Sequence, residues 1–205
     1  GCYVFDGRND TINVGNASNL NFLANESFSI SLWFKTDKTG RDIVSKGTTN
    51  FYRLNQLAGS DEIAFVTTTS GASTQSIFSS GLNLSNGQWH QIIATRDVNS
   101  DYLFLYIDGT LKESAQDDSS TNLFNSQDLL VGYRGSGSLY FNGSIDEVRI
   151  YTRALSYEQV NTLYTTEGSQ FTNNLTEARE TLIGQAWNVS ATPIDFMGLN
   201  GSTYF

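Results

Sequence analysis

Apolar and polar residues alternate along most of the first 150 positions. The run Phe28-Ser29-Ile30-Ser31-Leu32-Trp33-Phe34-Lys35 places an apolar side chain at nearly every second position, the period of a strand with one buried face. Similar runs occupy Thr11 to Val14, Asp42 to Ser45, Tyr52 to Leu57, Glu62 to Thr68, Trp89 to Arg96, Tyr102 to Ile107, Leu129 to Tyr133 and Ser144 to Tyr151, and Gly1 to Phe5 is also strand-like. Asp6-Gly7, Thr39-Gly40, Asn86-Gly87, Asp108-Gly109 and Asn142-Gly143 stand between the runs and carry the residue types that reverse a chain. About ten short strands with such turns predict an all-β fold, an antiparallel two-sheet β-sandwich.

One short helix interrupts this pattern. Ser156 is placed to cap it, and Glu158, Val160, Leu163 and Tyr164 follow, so the spacing predicts a helix ending near Glu167-Gly168. Gly168 to Asn174 reads as a linker, and the remainder to Phe205 holds about two strands, one of them Thr181 to Val189. This segment is too short for a sandwich of its own. The expected organisation is therefore a sandwich over residues 1–167, with a linker and partial β extension over 168–205 packing on the main domain, on another chain or on sequence beyond this one.

Composition narrows the function classes. The chain has 205 residues, 39% hydrophobic and 13% aromatic, enough for a large core. Acids outnumber bases 21 to 12, giving a net charge of -9. With no basic cluster, the sequence lacks the electrostatic footprint of a nucleic-acid or anionic-membrane binder. No apolar run is long enough to cross a bilayer as a helix. One Cys, Cys2, excludes an internal disulfide framework and reads as a buried thiol, and one His excludes multi-histidine metal sites.

The polar residues form a pattern of their own. Glycosylation sequons occur at Asn9, Asn16, Asn25, Asn83, Asn142, Asn174, Asn188 and Asn200, about twice the number that 19 Asn and 45 Ser or Thr would produce by chance. Such acceptors belong on the exposed loops of a secreted chain, and glycans would supply the solubility that charged residues, only 16% here, usually provide. The composition itself also produces sequons, so both readings stand.

Five motifs carry a family resemblance. Tyr3 to Asp10 followed by Ile12-Asn13-Val14, the Trp-bearing strand Phe28 to Lys35, Asn86-Gly87-Gln88-Trp89-His90-Gln91-Ile92-Ile93-Ala94-Thr95, the hairpin Tyr102 to Gly109, and Phe141 to Tyr151 with Arg153-Ala154-Leu155-Ser156 stand in this order. Together they resemble the laminin-G-like, concanavalin A-like lectin/glucanase jelly-roll domains, over residues 3 to 166. The resemblance implies a jelly roll with a structural Ca2+ ion pinning the first strand to the last. Asp6 and Asp146 lie in the two motifs involved, and Asn9 and Asp10 offer further oxygens of the kind calcium takes. The further N-terminal strand usual in the family is expected to be missing before Gly1, its place open to strand addition from a neighbour. The stretch Trp187 to Pro193 resembles an immunoglobulin-like repeat of microbial surface proteins.

Catalysis is not expected. A glycosidase needs two carboxylates facing one cleft. The adjacent Asp146 and Glu147 should point to opposite faces, and Asp117-Asp118 falls in a loop. His90 reads as a packed or hydrogen-bonding residue, and Trp33 and Trp89 read as core. A candidate ligand rim consists of Tyr133, Arg134 and Tyr140 around a Gly/Ser-rich loop, with Tyr52 and Arg53 near the loop ending at Asn50. The expected function is a calcium-stabilised, non-catalytic adhesion or carbohydrate-binding module of a glycosylated extracellular or cell-surface protein, with glycans or surface proteins as partners. Two alternatives stay open. One is a structural subunit of a surface layer, sheath or filament, joined to copies of itself by strand exchange. The other is an accessory domain of a polysaccharide-degrading enzyme.

Overall fold

The computed structural model describes residues 1–68, 74–118, 122–137 and 139–172. Twelve strands form two six-stranded sheets. In chain order they are β1 (Tyr3–Asp6), β2 (Ile12–Gly15), β3 (Phe28–Lys35), β4 (Asp42–Lys46), β5 (Phe51–Gln56), β6 (Ile63–Thr68), β7 (Gln75–Phe78), β8 (Trp89–Asp97), β9 (Tyr102–Ile107), β10 (Thr110–Gln116), β11 (Leu129–Val131) and β12 (Asn142–Tyr151), followed by helix α1 (Tyr157–Thr172). Sheet one has the order β1-β12-β3-β8-β9-β10, and sheet two has β2-β11-β4-β5-β6-β7. The ladders within both sheets are all antiparallel. The sandwich expected from the alternation is therefore present.

The core lies between the sheets. Phe28, Ile30, Leu32 and Phe34 of β3 meet Leu54 of β5 and Phe65 of β6 there, each strand contributing every second residue. The other face of β3 is buried too, because α1 covers it. Ile93, Tyr106, Leu155 and Val160 make a second, smaller core under the helix. Trp33 belongs to that outer layer: its ring stacks on Tyr164 and on Phe171, with centroids 5.7 and 4.5 Å away.

Helix α1 begins where Ser156 predicts and is capped at both groups. Ser156 Oγ accepts from the Gln159 backbone N–H, and Gln159 Oε1 accepts from that of Ser156, a reciprocal capping box. The helix does not stop at Gly168 but runs on to Thr172, so the first five residues of the expected linker are helical. Glu167 explains the continuation. Its Oε2 accepts from Trp33 Nε1 at 2.8 Å and Gln91 Nε2 at 3.2 Å, and its Oε1 pairs with Arg149. Residues 173–205, including the expected strand Thr181 to Val189, the stretch Trp187 to Pro193 and three of the sequons, lie outside the described residues.

Two strands lie outside the runs of alternation. β7 is four residues long, and β10, Thr110-Leu111-Lys112-Glu113-Ser114-Ala115-Gln116, is an edge strand with little burial, so it carries no apolar alternation. A bulge between Asp146 and Arg149 also breaks the strict alternation of β12. Glu147 there adopts a positive φ of 52°, and its carboxylate turns to the Arg149 guanidinium.

Candidate functional site

The residues expected to hold calcium fall in two places. Asp6 and Asp10 share the turn after β1, where Asp10 Oδ2 accepts from the Asp6 N–H and Asp6 Oδ1 from the Arg8 N–H. Asn9 is exposed beside them. Asp146 is elsewhere: Asp6 pairs with Asn142 in the β1–β12 ladder, and four strand positions separate Asn142 from Asp146, about 13 Å. Asp146 instead sits opposite Trp33 of β3, where burial raises its pKa despite the Glu147 backbone N–H that it accepts. Among the described residues no group of three or more His, Cys, Asp and Glu converges on one point.

His90 bridges a hairpin. Its Nδ1 lies 2.8 Å from Asp108 Oδ2 and its Nε2 3.2 Å from Asn86 Oδ1, so both ring nitrogens are occupied by structural contacts. Of the sequons within the described residues, Asn9, Asn16, Asn25 and Asn83 are exposed. Asn142 differs. It is in a strand, and its Nδ2 donates to the Asp6 carbonyl at 2.8 Å.

Of the five proposed rim residues, Arg53 and Arg134 line one groove on the outer face of sheet two, Tyr133 and Tyr140 stack on each other in the loop after β11, and Tyr52 lies inside. Tyr52 is fully buried, with its hydroxyl donating to the Leu20 carbonyl at 3.1 Å, and burial pushes its pKa far up. Tyr52 is therefore a core residue. The period of β5 is the reason: Tyr52, Leu54 and Gln56 face inward, so Phe51, Arg53 and Asn55 face outward.

Arg53 is opposite Ser45 of β4 and Val66 of β6. The loop after β11 crosses this face and is held there because Ser45 Oγ donates to the Tyr133 carbonyl at 3.0 Å. The loop presents Arg134 together with the Tyr133 and Tyr140 rings, which are stacked 4.1 Å apart at an interplanar angle of 6°. Between strands and loop lies a groove of two adjoining compartments. The larger, about 310 Å³, is lined by Asn13, Gln127, Asp128, Leu130, Arg134 and others. The smaller, about 200 Å³, is lined by Gly47, Thr48, Phe51, Arg53, Arg134 and Ser136. Gly47 and Arg134 line both.

Local chemistry shapes this groove. Gly47 has φ of 89°, and a Cβ there would lie 2.5 Å from the Asn50 carbonyl oxygen, so only glycine makes this turn without strain. The Arg53 guanidinium lies 4.9 Å from the centre of the Phe51 ring, a cation–π distance. Asp42 is buried under the groove, with its carboxylate oxygens 4.0 Å from Arg53 Nε and 3.8 Å from Arg134 Nε. Burial raises the Asp42 pKa while Arg134 and then Arg53 pull it down, and burial lowers that of Arg53. Reading the sequence missed Asp42 and Phe51. The alternation of β5 carries the signal for Phe51, since Phe51 and Arg53 share a face.

Known proteins resemble the chain as follows. A laminin-G-like family model, described as the concanavalin A-like lectin/glucanases superfamily, matches residues 6–161. No curated protein sequence matches the chain. Among solved structures, the binding domain of Paraclostridial Mosquitocidal Protein 1 superposes with a TM-score of 0.68 at 18% identity, over 82% of this chain and 46% of that one. Domain 4 of AbnA, a GH43 extracellular arabinanase from Geobacillus stearothermophilus solved with arabinotriose, gives 0.63 at 22% identity over 80% and 76%. The CBM40 of a Ruminococcus gnavus IT-sialidase gives 0.58 at 14% over 77% and 97%. The chain spans less than half the length of the toxin binding domains it matches. At these identities the likeness establishes the jelly-roll fold.

Proposed function

This chain belongs to the concanavalin A-like lectin/glucanases superfamily, and on that premise we propose that it is a non-catalytic carbohydrate-binding or adhesion module of a glycosylated extracellular protein, with its ligand on the outer face of sheet two. The observation that carries this reading is the groove itself, where Phe51 and the two arginines converge, with the stacked Tyr133–Tyr140 pair on the same loop as Arg134. Flat rings give pyranose faces a stacking surface, and a few convergent polar groups around a concave floor fix orientation. The proteins it resembles lend support, since they include a toxin binding domain and an arabinanase domain solved with arabinotriose. The groove's acids do not favour hydrolysis: Asp42 is buried between two guanidiniums, and Asp128 accepts from Asn13 Nδ2 at 2.8 Å. Exposed sequons at four positions fit a secreted setting. A calcium ion in this reading would rest on the β1–β2 turn of Asp6, Asn9 and Asp10, without Asp146.

A glycan array followed by calorimetry tests the proposal. Saturable binding of an oligosaccharide is expected, weakened about tenfold or more by Phe51→Ala. Phe51 is partly exposed, so this variant should fold. A blank array, or an affinity unmoved by Phe51→Ala, overturns the assignment of this face.

A further inference from the structure

Resting on that reading, we infer that the sugar bound on the outer face of sheet two carries a carboxylate, and that Arg53 and Arg134 hold it. Three other arginines among the described residues spend their donors inside the fold. Arg96 donates to Asp117 and to the carbonyls of Leu23, Ala24 and Glu26. Arg149 bridges Glu147 and Glu167, and Arg153 reaches Gln159 and the Ala154 carbonyl. Arg53 and Arg134 donate no hydrogen bond to any described residue, and the Nε of each is buried without a hydrogen-bond partner; Arg41 Nε is buried likewise, but Arg41 Nη1 donates to the Gly40 carbonyl and the residue lines neither compartment.

A guanidinium has five donors in a rigid fork, and buried donors in proteins are nearly always satisfied. Two such forks on one compartment therefore mark a place where a ligand supplies the acceptors. Asp42 does not fill the role. Its oxygens lie 4.0 and 3.8 Å from the two Nε atoms, close enough to balance charge but beyond hydrogen-bonding distance. One carboxylate beneath two guanidiniums also leaves a positive charge in excess. The smaller compartment is lined by both arginines and by no acid, on a protein whose net charge is -9. The cation–π contact with Phe51 holds the Arg53 plane at the compartment wall. A planar carboxylate matches such a fork with two parallel N–H···O bonds, and the ring that bears it would extend into the larger compartment, whose Gln127, Ser126 and Asp128 suit hydroxyl groups.

The test uses the full chain on an array of carboxylated, sulfated and neutral oligosaccharides, then calorimetry with the tightest carboxylated one against its own methyl ester. The acid should bind at least about tenfold more tightly than the ester. That advantage should shrink in 0.5 M salt, about the regime where charges are screened within a few ångströms. Arg53→Gln and Arg134→Gln should each remove most of the advantage while changing ester binding less than about twofold, with the melting temperature monitored to confirm the fold. Equal affinity for acid and ester overturns the inference and leaves the carbohydrate reading intact. Preference for sulfated sugars overturns the carboxylate assignment. An array with no bound sugar of any kind overturns the carbohydrate reading beneath it.

Discussion

The Nζ of Lys46 lies 2.8 Å from the Oδ1 of Asn16. Three further oxygens complete its surroundings: Asn21 Oδ1 at 3.1 Å, Asn125 Oδ1 at 3.2 Å and the Gln127 carbonyl at 2.9 Å. Lys46 is fully buried, and burial lowers its pKa while Asp128 raises it. Its ammonium thus ties the β2–β3 segment to the β10–β11 segment, as a bound metal ion would, through oxygens that a cation satisfies. Lys46→Met keeps an unbranched apolar stem, one atom shorter, and strands those oxygens. It should cost about 3 kcal/mol and lower the melting temperature by about 6–12 °C. A calorimetric melt showing no loss would mean that the cage is replaced by water at little cost.

Glu167 should matter as much for the outer layer. It joins α1 to Trp33, Gln91 and Arg149, so Glu167→Ala strips the buried Trp33 and Gln91 donors of their acceptor and leaves Arg149 with Glu147 as its one carboxylate partner. The expected cost is about 3 kcal/mol, read from urea unfolding. Because Tyr164 and Phe171 cover Trp33 only while the helix is seated, the variant should also show red-shifted tryptophan emission.

Asp42 makes stability and binding depend on pH. Its folded pKa is raised from the ordinary 3.8 by burial, so just above 3.8 the folded chain retains a proton that the unfolded chain has lost. Stability from this group is therefore present at low pH and lost as pH rises through the folded value. Asp42→Asn should gain on the native protein as pH rises through that window, with the two converging below it. The same variant removes the charge that balances Arg53 and Arg134, and should tighten a carboxylated sugar at pH 7 by a few-fold. Weaker binding would show that Asp42 positions the arginines rather than merely neutralising them.

Glycan occupancy should follow the geometry of each acceptor. In a glycosylating host, peptide mass spectrometry should find glycan at the exposed Asn9, Asn25 and Asn83. It should find none at Asn142, whose Nδ2 is committed to the Asp6 carbonyl and whose strand pairs with β1. Occupied Asn142 would require this edge of sheet one to open.

Calcium offers a separate check. If the β1–β2 turn holds an ion, EDTA should lower the melting temperature, Asp10→Asn should abolish that response, and Asp146→Asn should leave it unchanged. A response abolished by Asp146→Asn would contradict the separation of Asp146 from Asp6 seen in the β1–β12 register.

Strand β3 was legible residue for residue: the alternation marked Phe28 to Lys35, and those are its limits. Period-two patterning depends only on near neighbours in the chain, so the sandwich, the Asp-Gly and Asn-Gly turns and the Ser156 cap could all be read locally. β10 was hidden because an exposed edge strand has no buried face to imprint an apolar period. Tyr52 and Arg53 show the limit most clearly. Adjacent in sequence, both read as rim residues, yet adjacency in a strand sends them to opposite faces, and the ladders with β4 and β6 decide which is core. The family resemblance joins Asp6 and Asp146 from two motifs, and the β1–β12 register separates them.

The sequence by itself determined the fold class and the family, because each is written in runs of contiguous residues. The groove, the Lys46 cage and the unspent donors of Arg53 and Arg134 were decided by the tertiary structure alone. They arise where side chains roughly 25 to 90 positions apart converge, and no local period encodes such a meeting.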